Sequence, residues 1–386
     1  MAHLERSKFR AMGTDVEIII ADSNLPADKT RLDMLAAKAE IDRLELLMSR
    51  FIPASDISRL NDNPGEFVPV ANETAQVLLL AEHACRETNG LFSPSLGAWM
   101  EHYGYDRSYD CGLAHSYKPN LAPRAEASAE ASAEASAEAS AEASAEASPS
   151  PSPSPSPSPS PSPSPSPSPS VVGVARAQAE PTQGRAAAHP MADLATRLGR
   201  GYVPYTVGTG GRFRLEPGYK LDLGGIAKGW IVERAADVLH RRGHHNFVCS
   251  GGGDMVCAGR EGERPWAVGI ANPTGLADSS PTSDSPATLL TLSVESSAVA
   301  TSGTYHRRWT QGETVRHHIL DPRTGQPAES DLVSATVIHE HLTAAEVAAK
   351  VVLLLGREEG LHWLKSVPHR GWVAVTTSGD VLHAWQ

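Results

Sequence analysis

A chain of 386 residues with a formal net charge of −11 lacks the clustered basic residues that a nucleic-acid or anionic-membrane surface requires. Its four cysteines show no paired metal spacing, and no apolar run is long enough to cross a membrane. The first residues contain neither an apolar signal core nor a lipid-attachment cysteine. We therefore expect a soluble, cytoplasmic protein with free thiols and without nucleic-acid or membrane partners.

A strand and two helices are predicted in the N-terminal part of the chain. Residues Thr14–Ile20 alternate in polarity and then become β-branched, which is typical of a strand. Apolar residues recur at helical spacing over Lys29–Met48 and again over Thr74–Thr88. The second helix is followed by Asn89-Gly90, a usual C-terminal stop.

A long low-complexity stretch then interrupts the chain. Its centre is six repeats of Ala-Glu-Ala-Ser over residues 125–148, followed by eleven repeats of Pro-Ser over residues 149–170. Neither repeat has an apolar stripe to bury, so neither can contribute to a hydrophobic core. We predict a disordered surface insertion, which is tolerated because a long loop adds little closure entropy. The predicted organisation is an N-terminal part at residues 1–113, the insertion at residues 114–200, and a C-terminal part at residues 201–386 that completes the same folded domain.

A glycine turn follows the insertion. A short apolar strand, Leu221–Leu223, is predicted to end in Gly224-Gly225, and a helical pattern that includes Ile231 begins at once. Glycines lack Cβ atoms, so a ligand's phosphates can approach the backbone, and the free N–H groups at a helix start favour anions. Lys228 adds a positive charge at the same place. The alternative is a tight turn with an exposed lysine.

The C-terminal part is predicted to contain further strands and a long helix. The strands are His244–Ser250, Trp266–Ile270, Leu289–Val294 and Leu332–Ile338. Thr343 is a good N-cap for a helix over Ala344–Leu355, which Gly356 would stop. Adjacent His244 and His245 point to opposite faces of a strand, so we expect solvent exposure or capping rather than a shared metal. These elements predict an α+β fold of mixed sheets and packed helices.

Six short blocks stand out along the chain besides the glycine stretch Asp222–Gly229. They are Ala11–Thr14, Met48–Phe51, Ser55–Asn61, Gly252–Asp254, Thr301–Tyr305 and His318–Gly325. In this order the blocks resemble those of the FAD:protein FMN transferases, the ApbE-like flavin transferases, and they cover nearly the whole chain except the insertion. The resemblance implies the family's two-lobed fold, with FAD in the cleft between the lobes.

The resemblance also implies which residues contact the nucleotide. Asp222 and Lys228 are implied as catalytic residues that also bind the cofactor. The other implied cofactor-binding residues are Met12, Phe51, Leu91, Phe92, Ser93 and His318. Phe51 replaces the family's usual tyrosine and keeps a stacking face, whereas Ser93 replaces an aspartate and can hydrogen-bond without its charge. The residues alone leave other interpretations open: Met12 and Phe51 as core residues, and His318 as a structural histidine.

The implied metal site departs from the family pattern. Most family members hold Mg²⁺ with an aspartate and a threonine four residues later, where this chain has Glu346 and Lys350; Thr343 replaces an earlier aspartate. The remaining implied metal ligands are Gly225, through its carbonyl, and Glu346. A protonated lysine cannot bind a metal ion. Either Lys350 supplies a fixed positive charge in place of the metal, or it forms the ordinary i,i+4 ion pair with Glu346.

The resemblance predicts an FAD:protein FMN transferase that uses FAD as substrate, with Mg²⁺ as the implied metal. The enzyme would cleave the FAD pyrophosphate and attach FMN to a threonine or serine of an acceptor flavoprotein, with release of AMP. One alternative is a Mg²⁺-dependent FAD pyrophosphatase, in which water is the nucleophile. Another is a catalytically weak FAD-binding protein, which the replaced metal ligands favour.

Overall fold

The structure is a computed structural model that describes residues 4–21, 25–106, 190–273, 288–305, 307–311 and 314–385. All of these belong to one compact unit formed by residues 1–111 and 186–386. The two repeats, and with them most of the predicted insertion, lie outside the described residues. The elements within the described residues confirm the predicted α+β fold class, with mixed helices and sheets.

The described helices and strands have the following bounds. The helices are α1 Ala27–Met48, α2 Asp56–Asp62, α3 Asn72–Glu87, α4 Gly97–His102, α5 Pro190–Leu198, α6 Ala227–Arg241 and α7 Leu342–Leu364. The strands before α7 are β1 Leu4–Ala11, β2 Thr14–Ala21, β3 Val68–Pro69, β4 Tyr205–Val207, β5 Arg212–Leu215, β6 Phe247–Gly251, β7 Asp254–Ala258, β8 Trp266–Ala271, β9 Thr288–Val294, β10 Ser297–Gly303, β11 Arg308–Gln311, β12 Thr314–His317, β13 Leu320–Asp321, β14 Gln326–Pro327 and β15 Leu332–His339. The last two strands are β16 Gly371–Thr376 and β17 Val381–Trp385.

An eight-stranded antiparallel sheet forms the centre of the fold. Its strand order is β1-β2-β6-β7-β10-β15-β16-β17. Strands β1 and β2 form a hairpin in which Ala11 pairs with Thr14 around Met12 and Gly13. Both turn residues have positive φ, 53° and 63°, which suits the right-handed twist of a two-residue hairpin.

Three helices cover one face of this sheet. The buried residues Ile41 and Leu44 of α1 and Ala235 of α6 belong to one core cluster with Ile18 and Ile20 of β2. Helix α7 contributes Ala345, Val347 and Val351 to the same cluster. Alternate residues of β2 thus face the helices, and burying each of the isoleucine, leucine and valine side chains stabilises the fold by about 1.5–3 kcal/mol.

The opposite face of the sheet is covered by the β8–β9 hairpin. Val268 and Leu292 of the hairpin cluster with Val248 of β6 and Val299 of β10, and the half-buried Ile19 packs against them. The sheet is therefore the middle of three layers. The end of α1 and the start of α6 meet where Arg50 contacts Asp222.

Two helix ends differ in detail from the predictions. Helix α7 starts at Leu342 with His341 at the cap position, so Thr343 lies inside the first turn, where its hydroxyl donates to Glu233. Gly356 does interrupt the helix, with φ of 78°, but a second helical segment continues to Leu364. The predicted stop after α3 is confirmed, because Asn89 and Gly90 both have positive φ.

The end of the predicted disordered insertion, residue 200, is wrong, because helix α5 occupies Pro190–Leu198 within that range. Its last residue, Leu198, is fully buried and Ala195 is 4% exposed. A Cβ atom on Gly90 would overlap the carbonyl of Leu198, so α5 approaches the end of α3 closely. This short helix packs against the core through its apolar side, which includes Leu194, Ala195 and Leu198.

The expectation that His244 is exposed or capping is wrong. His244 is 2% exposed, and its Nε2 atom lies 2.9 Å from Oδ2 of Asp33 in α1. Asp33 also accepts hydrogen bonds from Lys29 and Arg242. The strand actually starts at Phe247, so His244 belongs to the turn after α6 and is free to point at α1. In the described part of the chain, no helix is long and apolar enough to span a membrane.

Candidate active site

The glycine stretch does not follow a strand as predicted. Leu221 forms two hydrogen bonds with the side chain of Asn61, at 2.7 and 3.0 Å, and Asp222 N–H donates to the carbonyl of Pro94 at 2.8 Å. These bonds replace the pairing with a neighbouring strand, so the segment lies outside the sheets. Helix α6 then starts at Ala227, which places Lys228 in its first turn.

Asp222 is held by two donors on opposite sides. Its Oδ1 atom accepts a 2.6 Å hydrogen bond from Gly224 N–H, and its Oδ2 atom accepts one of 2.6 Å from Nε of Arg50. Arg50 also donates to the carbonyl of Tyr105 at 2.6 Å, and its guanidinium carbon lies 4.1 Å from the centroid of the Phe51 ring. The carboxylate of Asp222 is therefore fixed between the end of α1 and the glycine turn.

Three aromatic side chains lie beside this ion pair. Phe51 meets Tyr105 edge to face with centroids 5.8 Å apart, and Tyr105 stacks on Trp309 at 5.5 Å. Burial raises the pKa of the Tyr105 hydroxyl, so this side chain is neutral at pH 7. Phe51 is half-buried, and its edge-to-face contact with Tyr105 fixes the ring beside Arg50.

Lys228 connects three elements. Its Nζ atom is in contact with Oδ2 of Asp254 at the start of β7 and lies 3.4 Å from Oε1 of Glu346 in α7. The other oxygens of these carboxylates are also used: Asp254 accepts from Thr301 N–H at 2.8 Å, and Glu346 accepts from Gly229 N–H at 2.9 Å. Burial lowers the pKa of Lys228, while the Glu346 carboxylate opposes that change.

Gly229 is required by this arrangement. A Cβ atom there would lie 2.8 Å from Oε2 of Glu346. Asp254 and Glu346 are 2% and 5% exposed, so both carboxylates need the donors that surround them.

Lys350 lies one turn after Glu346 but does not pair with it. Its Nζ atom occupies the position that a Cβ atom of Gly225 would take, and it lies 5.9 Å from the centroid of the Phe92 ring. Among the described residues, no carboxylate is in ion-pair contact with this ammonium. Burial lowers the pKa of Lys350, whereas the carboxylates of Glu346 and Asp222 raise it.

His318 lies close to the same cations. Burial, and then the charges of Arg307 and Lys350, hold its pKa well below 6.5, so the imidazole is neutral at pH 7. Its Nδ1 atom is buried and has no hydrogen-bond partner among the described residues. The unpartnered nitrogen can accept a hydrogen bond, but burial and the two neighbouring cations make protonation of the ring less favourable than in water.

The remaining residues implied by the resemblance lie in two separate places. Met12 is in the β1–β2 turn, where its N–H donates to Glu45 at 2.8 Å and its side chain approaches Gly251. Leu91, Phe92 and Ser93 follow α3; Phe92 and Ser93 are 2% and 7% exposed, and the hydroxyl of Ser93 accepts from Ser95 N–H.

Contacts thus join most of the predicted site residues. The set that is joined comprises Phe51, Phe92, Asp222, Gly225, Lys228, Glu346 and Lys350, and His318 lies close enough to Lys350 for that charge to lower its pKa. Leu91, Ser93 and Met12 are not joined to this set by the described contacts. Ser93 contacts Ser95, Met12 contacts Glu45 and Gly251, and Leu91 packs against the main core.

Several residues that contact these site residues were not themselves predicted as site residues. Arg50 and Asp254 lie within two of the short blocks, at the end of α1 and after three glycines, so the signal for them was present. Arg307, Tyr105 and Trp309 lie outside the blocks, and only the fold brings them to the site. With four cations, Arg50, Lys228, Arg307 and Lys350, facing three carboxylates, the site can bind an anion.

Comparison with known proteins identifies the family. The model of the ApbE family matches residues 12–145 and 173–380. A FAD:protein FMN transferase of Klebsiella pneumoniae (strain 342) is 32% identical over 170 residues, which cover 44% of this chain and 50% of that protein. One from Treponema pallidum (strain Nichols) is 32% identical over 162 residues, or 40% of this chain and 42% of that protein. The chain thus spans half or less of the length of these curated relatives.

Solved structures share the fold at low sequence identity. The ApbE protein of Thermotoga maritima has a TM-score of 0.68 at 21% identity, with 99% of this chain and 97% of that chain covered. The flavin transferase ApbE of Vibrio cholerae has a TM-score of 0.66 at 18% identity, with 100% and 98% covered. The fold confirms the resemblance seen in the sequence, and the family model matches well over half of the residues. The chain therefore belongs to the ApbE family.

Proposed function

We propose that this chain is an FAD:protein FMN transferase, which cleaves FAD and attaches FMN to a threonine or serine of an acceptor flavoprotein. Family membership and the names of the curated relatives support this proposal. The single observation that carries it is the presence of two lysines at the glycine turn: Lys228 lies in the first turn of the helix that follows it, and Nζ of Lys350 lies against Gly225. This arrangement suits a diphosphate, whose oxygens need positive charge and close backbone approach.

In this proposal the two halves of FAD contact different parts of the site. The pyrophosphate lies at the glycine turn, near Lys228 and Lys350. The flavin ring lies against Phe51 and Met12, as the resemblance implies, because a phenylalanine offers a flat apolar face for stacking. Asp222, held by Arg50 and Gly224, keeps the turn in one conformation.

The reaction forms one P–O bond and breaks another. The acceptor hydroxyl oxygen attacks the phosphorus on the FMN side of the pyrophosphate, and AMP leaves with the electron pair of the broken P–O bond. The hydroxyl proton must be removed as the new phosphodiester forms. Positive charge at the glycine turn stabilises the negative charge that develops on the leaving phosphate.

His318 is the group that we propose as proton acceptor. Its ring is neutral at pH 7, and its Nδ1 atom has no partner among the described residues. Asp222, Asp254 and Glu346 are less suitable, because each already accepts hydrogen bonds on its carboxylate oxygens. A positioned general base typically contributes about 10²–10⁴ in rate.

The test is incubation with FAD and a threonine-containing acceptor peptide, followed by mass analysis of the peptide and of the released nucleotide. We expect the peptide to gain one FMN for each AMP released. A matched peptide with valine in place of threonine should gain nothing, since valine has the same shape without the nucleophile.

Two results would contradict the proposal and separate its rivals. Release of FMN and AMP at the same rate without any peptide would show a pyrophosphatase. Retention of intact FAD with no AMP released, in the presence of peptide and Mg²⁺, would show a binding protein.

A further inference from the structure

The residues present do not fit the Mg²⁺ ion that the family resemblance implies. Both oxygens of Glu346 already face donors: Oε2 accepts from Gly229 N–H at 2.9 Å, and Oε1 lies 3.4 Å from Nζ of Lys228. Within the described ranges, no group of three or more histidine, cysteine, aspartate or glutamate side chains could hold a metal ion. Mg²⁺ is usually bound through one or two carboxylates together with substrate phosphates and water, and here both oxygens of the implied carboxylate ligand, Glu346, are already paired with nitrogen groups of the protein.

An ammonium already lies beside Gly225, the residue whose carbonyl is the implied ligand. The Nζ atom of Lys350 takes the space that a side chain at Gly225 would fill, and the Phe92 ring lies on another side of it. A divalent ion at Gly225 would therefore stand next to a positive charge, and the two would repel each other. The position of Lys350 depends on a glycine at residue 225, since a Cβ atom there would displace it.

Lys350 is held in place by packing and not by a direct ion pair. The described part of the structure gives it no carboxylate within contact distance, although Glu346 and Asp222 lie close enough to favour its charged form. Arg307 adds a second positive charge nearby. An anion that entered at the glycine turn would supply the direct counter-charge that Lys350 lacks.

We propose that Lys350 is a built-in cation that binds the pyrophosphate of FAD, so that this chain binds FAD without a divalent metal. This inference rests on the proposed function, since it takes FAD as the ligand. A lysine supplies one fixed charge in place of two and cannot orient several oxygens as a metal ion does. Binding should therefore be independent of Mg²⁺.

The test measures the affinity for FAD by calorimetry in EDTA and again in excess Mg²⁺, with riboflavin as a ligand that lacks the phosphates. We expect the wild-type Kd for FAD to change by less than about twofold between the two conditions. Lys350→Met keeps the length and loses the charge, and we expect it to weaken FAD binding by about tenfold or more in both conditions. Its riboflavin affinity should stay within about twofold of the wild type.

The matched control is Lys365→Met, which removes an exposed lysine at the end of the same helix and should leave FAD affinity unchanged. Thermal unfolding of each variant shows whether it is folded. Wild-type FAD binding that needs Mg²⁺, together with unaltered affinity in Lys350→Met, would overturn this inference and leave the proposed function standing. Absence of FAD binding in both conditions would overturn both.

Discussion

Nε of Arg50 lies 2.6 Å from Oδ2 of Asp222, although the two residues are 172 positions apart in the chain. Only 6% and 13% of the two side chains is exposed. Arg50 also donates to the carbonyl of Tyr105 and covers the Phe51 ring. One guanidinium thus joins the end of α1, the aromatic side chains and the glycine turn, in a geometry that a lysine could not reproduce.

Replacing Arg50 should therefore destabilise the protein strongly. Arg50→Met leaves Asp222 nearly buried without its counter-charge, so we expect the free energy of unfolding to fall by about 3 kcal/mol in urea denaturation. The control is Arg6→Met. The side chain of Arg6 is 55% exposed, and its Nε atom lies 3.1 Å from Oε1 of Glu17. That exposed pair should contribute less than about 1 kcal/mol. Equal losses in the two variants would contradict the prediction.

A double-mutant cycle should show that Gly225 and Lys350 are coupled. Gly225→Ala alone places a Cβ atom on Nζ of Lys350 and must displace the lysine. In a Lys350→Ala background that conflict is gone, so the second substitution should cost less. We expect a coupling free energy of about 1 kcal/mol or more, measured by urea unfolding of the four proteins. The pair Gly225→Ala and Lys365→Ala should instead be additive; additivity in both cycles would show that Lys350 lies elsewhere.

The buried carboxylate of Asp33 should contribute to stability in a pH-dependent way. Burial by itself raises the pKa of Asp33, but hydrogen bonds from Lys29, His244 and Arg242 outweigh it, and the pKa is lowered. A carboxyl group whose pKa is lower in the folded state stabilises the fold at any pH above its unfolded-state pKa. That stabilisation is lost as the pH falls through its folded-state pKa. We expect Asp33→Asn to cost about 3 kcal/mol at neutral pH and progressively less as the pH falls below about 4.

The control for Asp33 is Asp28→Asn in the same helix, because the side chain of Asp28 is 95% exposed. Its effect should stay within about 0.5 kcal/mol at each pH in the same unfolding series. If the cost of Asp33→Asn does not change with pH, the network of donors is not what stabilises the carboxylate.

His318 should make the protein less stable in mild acid. Its pKa is held well below 6.5, first by burial and then by the charges of Arg307 and Lys350. At a pH just below the unfolded-state pKa of His318, the unfolded chain therefore binds more protons than the folded chain. Stability then falls as the pH drops through about 6.5, and it levels off below the folded-state pKa of His318. We expect His318→Asn to flatten this decline in thermal unfolding between about pH 7.5 and 5.5.

The matched control is His245→Asn, because His245 is exposed and should keep the wild-type slope. A His318→Asn variant whose melting temperature declines as steeply as the wild type would contradict the assignment of a buried neutral imidazole.

Local patterns along the chain were sufficient for most helices and strands. Apolar residues at helical spacing predicted α1 and α3 to within a few residues, and the alternating and then β-branched residues over Thr14–Ile20 predicted β2. The segment Leu221–Leu223 was predicted wrongly as a strand because its apolar residues are buried without a strand partner. Its backbone bonds to Asn61 and Pro94 instead, and no local pattern carries that information.

The sequence by itself determined the fold class, the family and the chemical types of the site residues, since these depend on short-range spacing and on ordered blocks. Only the tertiary structure decided which partner each charge has. Lys228 meets Asp254 and Glu346, while Lys350 faces Gly225 although Glu346 is its neighbour on the helix. A charge interacts with whatever lies within a few ångströms, and the packing of α6 and α7 on the sheet sets those distances.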